Sequence, residues 1–139
     1  MTQFLAAVAI AAVVTQAVAQ DTPALKAAKA LNGNYTVKEV NIDGQVPDDI
    51  LKAITGVEIK DGTITIQTAK KDDPAKFIVD TSQIPATIDI TAKAGEKAKP
   101  GLYKVEKGEL TIVFSDKGTR PTDFSTGEGV RKLVLLKKK

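Results

Sequence analysis

The chain contains no histidine, no cysteine and no tryptophan. Without histidine, no imidazole can activate a serine or cysteine nucleophile, and without histidine or cysteine the usual zinc ligands are missing. Without cysteine, no disulfide can form, so packing alone must hold the fold. The sequence also lacks a glycine-rich phosphate loop and a Gly-x-Ser-x-Gly nucleophile motif. We therefore expect a protein without catalytic residues, metal site or cofactor.

Charge and aromatic content are also low for a nucleic-acid-binding protein. Twenty Lys and Arg against 17 Asp and Glu give a formal net charge of +3, and the three lysines at 137–139 account for all of it. Nucleic-acid binding needs basic residues clustered on one face with aromatic residues between them, and this chain has 4 Phe and 2 Tyr. The sequence predicts no nucleic-acid partner.

The first twenty residues resemble a secretory signal peptide. Residues 4–14 form one apolar run, and Ala17-Val18-Ala19 follows as a small-x-small cleavage site. A helix of that run spans about 16 Å, too short for a bilayer core of about 30 Å. We expect a signal peptide at 1–19, one domain at 20–139, export to the periplasm or beyond, and no stable membrane insertion after cleavage. An uncleaved anchor is the alternative, because no Lys or Arg precedes the apolar run.

After residue 33 the sequence reads as eight short β-strands whose connections alternate in length. The tight connections are Asp61-Gly62, Lys107-Gly108 and residues 81–85, and the long ones cover 44–55, 69–75, 94–99 and 116–129. In an antiparallel meander, alternate connections fall at opposite ends. The pattern predicts an all-β, eight-stranded up-and-down barrel with a closed end of tight turns and an open end of long loops.

Two short helices accompany the strands. Thr22 and Pro23 are a typical N-cap and first helical residue for a helix that continues to Leu31. A second helix, between the first two strands, is predicted over residues 47–54. The strands are predicted at Tyr35–Ile42, Val57–Lys60, Thr63–Thr68, Lys76–Asp80, Thr87–Ala92, Leu102–Glu106, Glu109–Ser115 and Val130–Lys137.

A change of phase in the apolar residues of the first strand predicts a β-bulge near Lys38-Glu39. Period-2 alternation then predicts the barrel interior. Its bulky side chains favour a mostly filled barrel, with room for one small ligand at most. The predicted interior residues are Tyr35, Val37, Val57, Ile59, Ile64, Ile66, Phe77, Val79, Ile88, Ile90, Tyr103, Val105, Leu110, Ile112, Phe114, Leu133 and Leu135.

Carboxylates are the only abundant acid–base groups, so a carboxylate-based hydrolase is the remaining enzymatic alternative. Asp80-Thr81-Ser82 follows an apolar strand, as in the catalytic box of aspartic proteases. That chemistry requires two carboxylates sharing a proton, and no companion segment follows. A strand end at which Asp80 begins a turn explains the tripeptide equally.

The segment Arg120-Pro121-Thr122-Asp123-Phe124 lies in the longest loop, at the predicted open end. A guanidinium can form a fork with a carboxylate and can stack on an aromatic ring. Two interpretations follow: Arg120, Asp123 and Phe124 bind a ligand at the rim, or they form a clasp that orders the loop.

Several segments, taken in order, resemble one family. They are Leu31-Asn32-Gly33-Asn34-Tyr35, Asp43-Gly44-Gln45-Val46-Pro47, Ala86-Thr87-Ile88-Asp89-Ile90-Thr91, Gly101-Leu102-Tyr103-Lys104-Val105, Gly108-Glu109-Leu110-Thr111-Ile112, Arg120-Pro121-Thr122-Asp123-Phe124 and Leu133-Val134-Leu135-Leu136-Lys137. Together they are similar to the lipocalin-like domain of unknown function that is abundant in exported planctomycete proteins. The resemblance implies a lipocalin-like barrel outside the cytoplasm and implies no reaction.

Tyr35 stands where that family has tryptophan, at the position of the aromatic residue that plugs the closed end of such barrels. The combined expectation is an exported, non-enzymatic binding module. Its partner is a small apolar or amphipathic ligand, or an extracytoplasmic protein, at the long-loop end. The alternatives are a filled barrel acting as a structural or interaction domain, and the carboxylate-based hydrolase.

Overall fold

The computed structural model describes residues 22–138, so the predicted signal segment and its cleavage site lie outside the described residues. Within that part of the chain there are two short helices and eight strands. The elements are α1 (Pro23–Ala30), β1 (Gly33–Ile42), α2 (Asp48–Ala53), β2 (Ile54–Lys60), β3 (Thr63–Thr68), β4 (Asp72–Asp80), β5 (Thr87–Thr91), β6 (Lys99–Glu106), β7 (Glu109–Ser115) and β8 (Val130–Lys137).

The strands form one closed antiparallel barrel in sequence order, with β8 paired back onto β1. This confirms the predicted all-β class, strand number and strand order. Most connections alternate in length as predicted. The β3–β4 connection is an exception, because β4 begins at Asp72 instead of Lys76 and leaves only residues 69–71 between the strands. The open end therefore carries three long connections, 43–53, 92–98 and 116–129.

Helix α1 is fastened across the closed end. Thr22 caps it as predicted, because its hydroxyl oxygen accepts a hydrogen bond of 3.2 Å from the Leu25 amide. Beyond the helix, Asn32 makes two hydrogen bonds to Asp61 in the β2–β3 turn, one of 2.8 Å to its amide and one of 3.1 Å to its carboxylate. Among residues 22–138, no helix is long and apolar enough to cross a bilayer.

The core fills the barrel from the closed end upwards. Val57, Ile59, Ile88, Leu110 and Leu135 each expose 1% or less of their surface. The predicted bulge is present, since the β1–β8 register shifts between Val37 and Glu39. Beyond that shift the phase of β1 changes, and the two apolar residues that follow, Val40 and Ile42, turn towards the core.

One predicted interior residue is wrong. Val105 is 54% exposed, although it pairs with Leu110, whose side chain lies in the core. Val105 stands near the end of β6, beside the Lys107-Gly108 turn. Alternation predicted the face of the sheet from which Val105 projects, but not how much of its side chain is covered. The structure adds Ala28 and Leu31 from the α1 region to the core.

The β2–β3 turn provides a test of the closed end. Asp61 and Gly62 have φ of 46° and 84°, the paired positive angles of a two-residue hairpin turn. We expect Gly62→Val to lower the free energy of unfolding by about 1–2 kcal/mol, because a β-branched residue is strained in this conformation. The urea midpoint measures the loss.

Gly127→Val is the matched control. Gly127 lies in the longest loop, its φ is not positive, and an added Cβ would meet nothing within 4 Å. We expect its urea midpoint to stay near that of the wild type. Equal losses for the two variants would contradict the tight-turn assignment.

Candidate functional site

A cavity of about 260 Å³ opens between the strand ends at the long-loop end of the barrel. We call it the mouth. Its wall is mostly apolar, and its floor is the top of the packed core. The lining residues are Ile64, Ile66, Asp73, Pro74, Ala75, Ile90, Ala92, Lys99, Ile112, Phe114, Arg131 and Leu133.

Two of the lining residues carry positive charge over this apolar wall. Lys99 pairs with Ile90 across β5 and β6, and Arg131 pairs with Phe114 across β7 and β8. Ile90 and Phe114 belong to the interior. Because directly paired residues project to the same side of a sheet, Lys99 and Arg131 also project inwards.

Asp116, the first residue after β7, joins the two cations. Its Oδ2 accepts a hydrogen bond of 2.6 Å from Nε of Arg131, and its Oδ1 lies 3.2 Å from Nζ of Lys99. Burial alone would raise the pKa of Asp116, but the hydrogen bonds from Arg131 and Lys99 outweigh it and hold this pKa below its usual value. Asp116 is therefore ionised at neutral pH, and the three groups together carry one net positive charge.

The structure places Arg120 elsewhere, against the outer wall of the barrel. Its Nη2 lies 2.8 Å from Oδ1 of Asp89, and its Nη1 donates a hydrogen bond of 2.9 Å to the Gly101 carbonyl. Asp89 alternates with the core residues Ile88 and Ile90, so its carboxylate projects outwards. These contacts fit a clasp, with Asp89 as the partner rather than a residue of the same loop.

The other two predicted residues also make local or outer-wall contacts. Asp123 accepts a hydrogen bond of 3.0 Å from the Ser125 amide, and the hydrogen bonds from Ser125 lower the pKa of this carboxyl. The ring of Phe124 lies below Nζ of Lys104, 4.8 Å from its centroid. Neither residue lines the mouth. A ligand-binding role for Arg120, Asp123 and Phe124 stays a prediction.

At the opposite end, Tyr35 occupies the place expected of a plug. Its side chain is buried, and its hydroxyl donates a hydrogen bond of 2.7 Å to the carbonyl of Leu31. Burial raises the pKa of this phenol. Lys137 pairs with Tyr35 in the β1–β8 register. The hydroxyl that distinguishes this residue from tryptophan is thus satisfied by the end of α1.

A larger apolar groove of about 480 Å³ lies on the outside of the barrel, between α1 and β4–β5. Leu25 and the 72%-exposed Ile78 contribute to it. The groove and the mouth share no lining residue, so the two are separate.

Among residues 22–138, no group of three or more Asp and Glu side chains lies close enough together to hold a metal ion. Asp80 begins a turn, as one interpretation predicted. Its Oδ1 accepts hydrogen bonds from the amide and the hydroxyl of Ser82, at 2.9 and 2.6 Å. These bonds lower the pKa of Asp80.

Sequence reasoning missed Lys99 and Arg131. For Arg131 a signal was present, because Leu133 and Leu135 were predicted to face inwards and Arg131 is two residues before Leu133. Lys99 was read as loop, and its direction is fixed only by its pairing with Ile90.

The outer-wall contact of Arg120 yields a prediction. Arg120→Ala should lower the free energy of unfolding by about 1 kcal/mol, because the ion pair is partly exposed. Amide hydrogen exchange should rise in residues 116–129 and remain unchanged in β2 to β5.

Lys117→Ala is the control within the same loop, since it removes an exposed ion pair to Glu128. It should change neither stability nor exchange appreciably. If Arg120→Ala left the loop as protected as in the wild type, the clasp interpretation would be wrong.

The ion pairs of Asp116 yield a pH prediction. A carboxyl whose folded pKa lies below its unfolded value of about 3.9 stabilises the fold above that pH and ceases to do so as the pH falls through the folded pKa. Asp116→Asn should therefore cost about 1 kcal/mol at pH 6 and progressively less below pH 4. Urea midpoints between pH 6 and pH 2.5 measure the difference.

Asp72→Asn is the matched control, an exposed aspartate at the start of β4 that has no ion pair among the described residues. Its stability should run parallel to that of the wild type over the whole range. A constant difference between Asp116→Asn and the wild type would contradict the ionic explanation.

Comparison with protein-family models, with curated proteins and with solved structures finds no match for this chain. The geometry of the mouth is therefore the observation from which a function can be inferred.

Proposed function

We propose that this protein is an exported, non-enzymatic lipocalin-like module that binds a small apolar or amphipathic molecule at its long-loop end. The observation that carries the proposal is the mouth, an apolar cavity of about 260 Å³ bordered by inward-pointing charges. A dry apolar cavity of about 150 Å³ is enough to bind benzene, so the mouth has room for a somewhat larger molecule.

The way the barrel is filled supports the same function. The lower half is occupied by side chains that are almost completely buried, including Val57 and Leu135. The upper half leaves space between Ile66, Ala75 and Leu133. A ligand would thus enter from the open end and stop at the packed core, with its polar part at the charged rim.

The first experiment identifies what the native protein carries. Native mass spectrometry of the protein purified from its source should show an adduct that organic solvent removes. The same protein should bind the neutral apolar fluorophore N-phenyl-1-naphthylamine, with an increase in emission.

Two variants test whether the mouth is the site. Ala92→Trp, at the rim, and Ala75→Leu, deeper in the wall, both add bulk to the cavity. Each should weaken binding of the fluorophore about tenfold, equivalent to about 1.4 kcal/mol. Thermal melting checks that the variants remain folded.

Ala53→Trp is the matched control, because Ala53 is an exposed alanine at the same end of the barrel that does not line the mouth. It should bind the fluorophore like the wild type. Equal binding by all three variants would show that the fluorophore binds outside the mouth, and no binding by the wild type would favour a filled interaction domain. Either result would overturn the proposal.

A further inference from the structure

The direction of the charges in the mouth needs its own explanation. Arg131 and Lys99 project into the barrel over the apolar wall, so the solubility of the outer surface does not require them there. Both side chains remain partly exposed, so their stems cover the apolar wall while their charged groups stay in contact with water. Asp116 is a partner for both cations, but it supplies one negative charge for two positive ones.

The contact with Asp116 leaves the outer edge of the guanidinium free. Asp116 is bound through Nε of Arg131, at 2.6 Å. Among residues 22–138, neither Nη nitrogen of Arg131 has a protein partner, and the side chain is 44% exposed. A guanidinium held at one edge presents its remaining N–H groups as a fixed fork, the geometry that a carboxylate fits.

The wall of the mouth opposite Arg131 carries a negative charge. Asp73 lines the mouth from β4, which lies four strands from β8 in the ring of eight. The mouth is therefore polarised across its diameter, from Asp73 to Arg131. An anionic group entering it is repelled by the β4 side and attracted to the β8 side, next to Lys99 and Arg131.

We propose that the ligand of the mouth is a small amphipathic carboxylate, whose head group binds Arg131 and Lys99 and whose alkyl tail fills the apolar cavity. This inference rests on the proposed function and narrows it to one chemical class. By comparison with the 150 Å³ that accommodate benzene, a cavity of about 260 Å³ accommodates a chain of about eight to ten carbons.

The test compares three molecules with the same tail: octanoate, octan-1-ol and octylammonium. Each displaces N-phenyl-1-naphthylamine from the mature protein at low ionic strength. We expect octanoate to bind about tenfold more tightly than octan-1-ol and octylammonium to bind most weakly. Added salt should weaken the binding of octanoate and leave the binding of octan-1-ol unchanged, because only the binding of octanoate depends on charge.

Arg131→Gln and Lys99→Gln assign the effect to the two side chains. Each substitution should weaken the binding of octanoate about tenfold and leave the binding of octan-1-ol unchanged. A substitution that only damaged the structure would weaken the binding of both molecules. Lys60→Gln, an exposed lysine of β2 away from the mouth, is the matched control and should change neither. If Arg131→Gln does not fold, Lys99→Gln and the salt dependence of the wild type decide the question.

The outcomes separate this inference from the proposed function. If octan-1-ol binds as tightly as octanoate, the mouth is an apolar site and the carboxylate inference is wrong, while the proposed function stands. If octylammonium binds best and Asp73→Asn abolishes its binding, the head group has the opposite charge and the inference is also wrong. If neither the fluorophore nor any of the three molecules binds, both proposals fall.

Discussion

The structure depends on one constraint, the alternation of side chains along strands that close into a ring. Once β8 pairs with β1, every strand residue projects either into a shared interior or onto the outer wall. The size of a few inward-facing side chains then determines whether the interior is filled or left open. Val57, Ile59 and Leu135 fill the lower half, whereas smaller or charged residues such as Ala75 and Arg131 occupy the upper half. The mouth is a direct result of this gradient.

The same constraint explains the separation of the loop clasp from the mouth. Leu102 and Val113 face outwards by alternation but are nearly fully buried, so this part of the outer wall is covered. The contacts of Arg120 with Asp89 and Gly101 place the 116–129 loop on that wall. The first residue of the loop, Asp116, stays at the mouth and joins Arg131 to Lys99. The connection between β7 and β8 thus contributes to both the outer wall and the mouth.

Local sequence signals predicted most of the fold. Asp61-Gly62 and Lys107-Gly108 fixed two hairpins, and the bounds of β3, β7 and β8 follow from their alternating apolar residues. The early start of β4 was missed, because Asp72-Asp73-Pro74 is a typical loop sequence and only its pairing with β3 makes it a strand. The candidate site was harder to predict. Arg120 was predicted as a site residue because it lies in the longest loop. The cations of the mouth lie on strands instead, and their inward direction follows from the register, which cannot be assigned until the partner strand is known.

Barrel closure also has a kinetic consequence. The pairing of β1 with β8 joins residues 33–42 to residues 130–137, nearly the full length of the domain apart. Contacts between distant residues slow folding, because the chain must lose much of its freedom before they form. Because β1 is synthesised before β8, the edge of β1 that pairs with β8 remains unpaired until β8 has been made. A chain shortened by even the last strand would expose two edges and would be prone to aggregate.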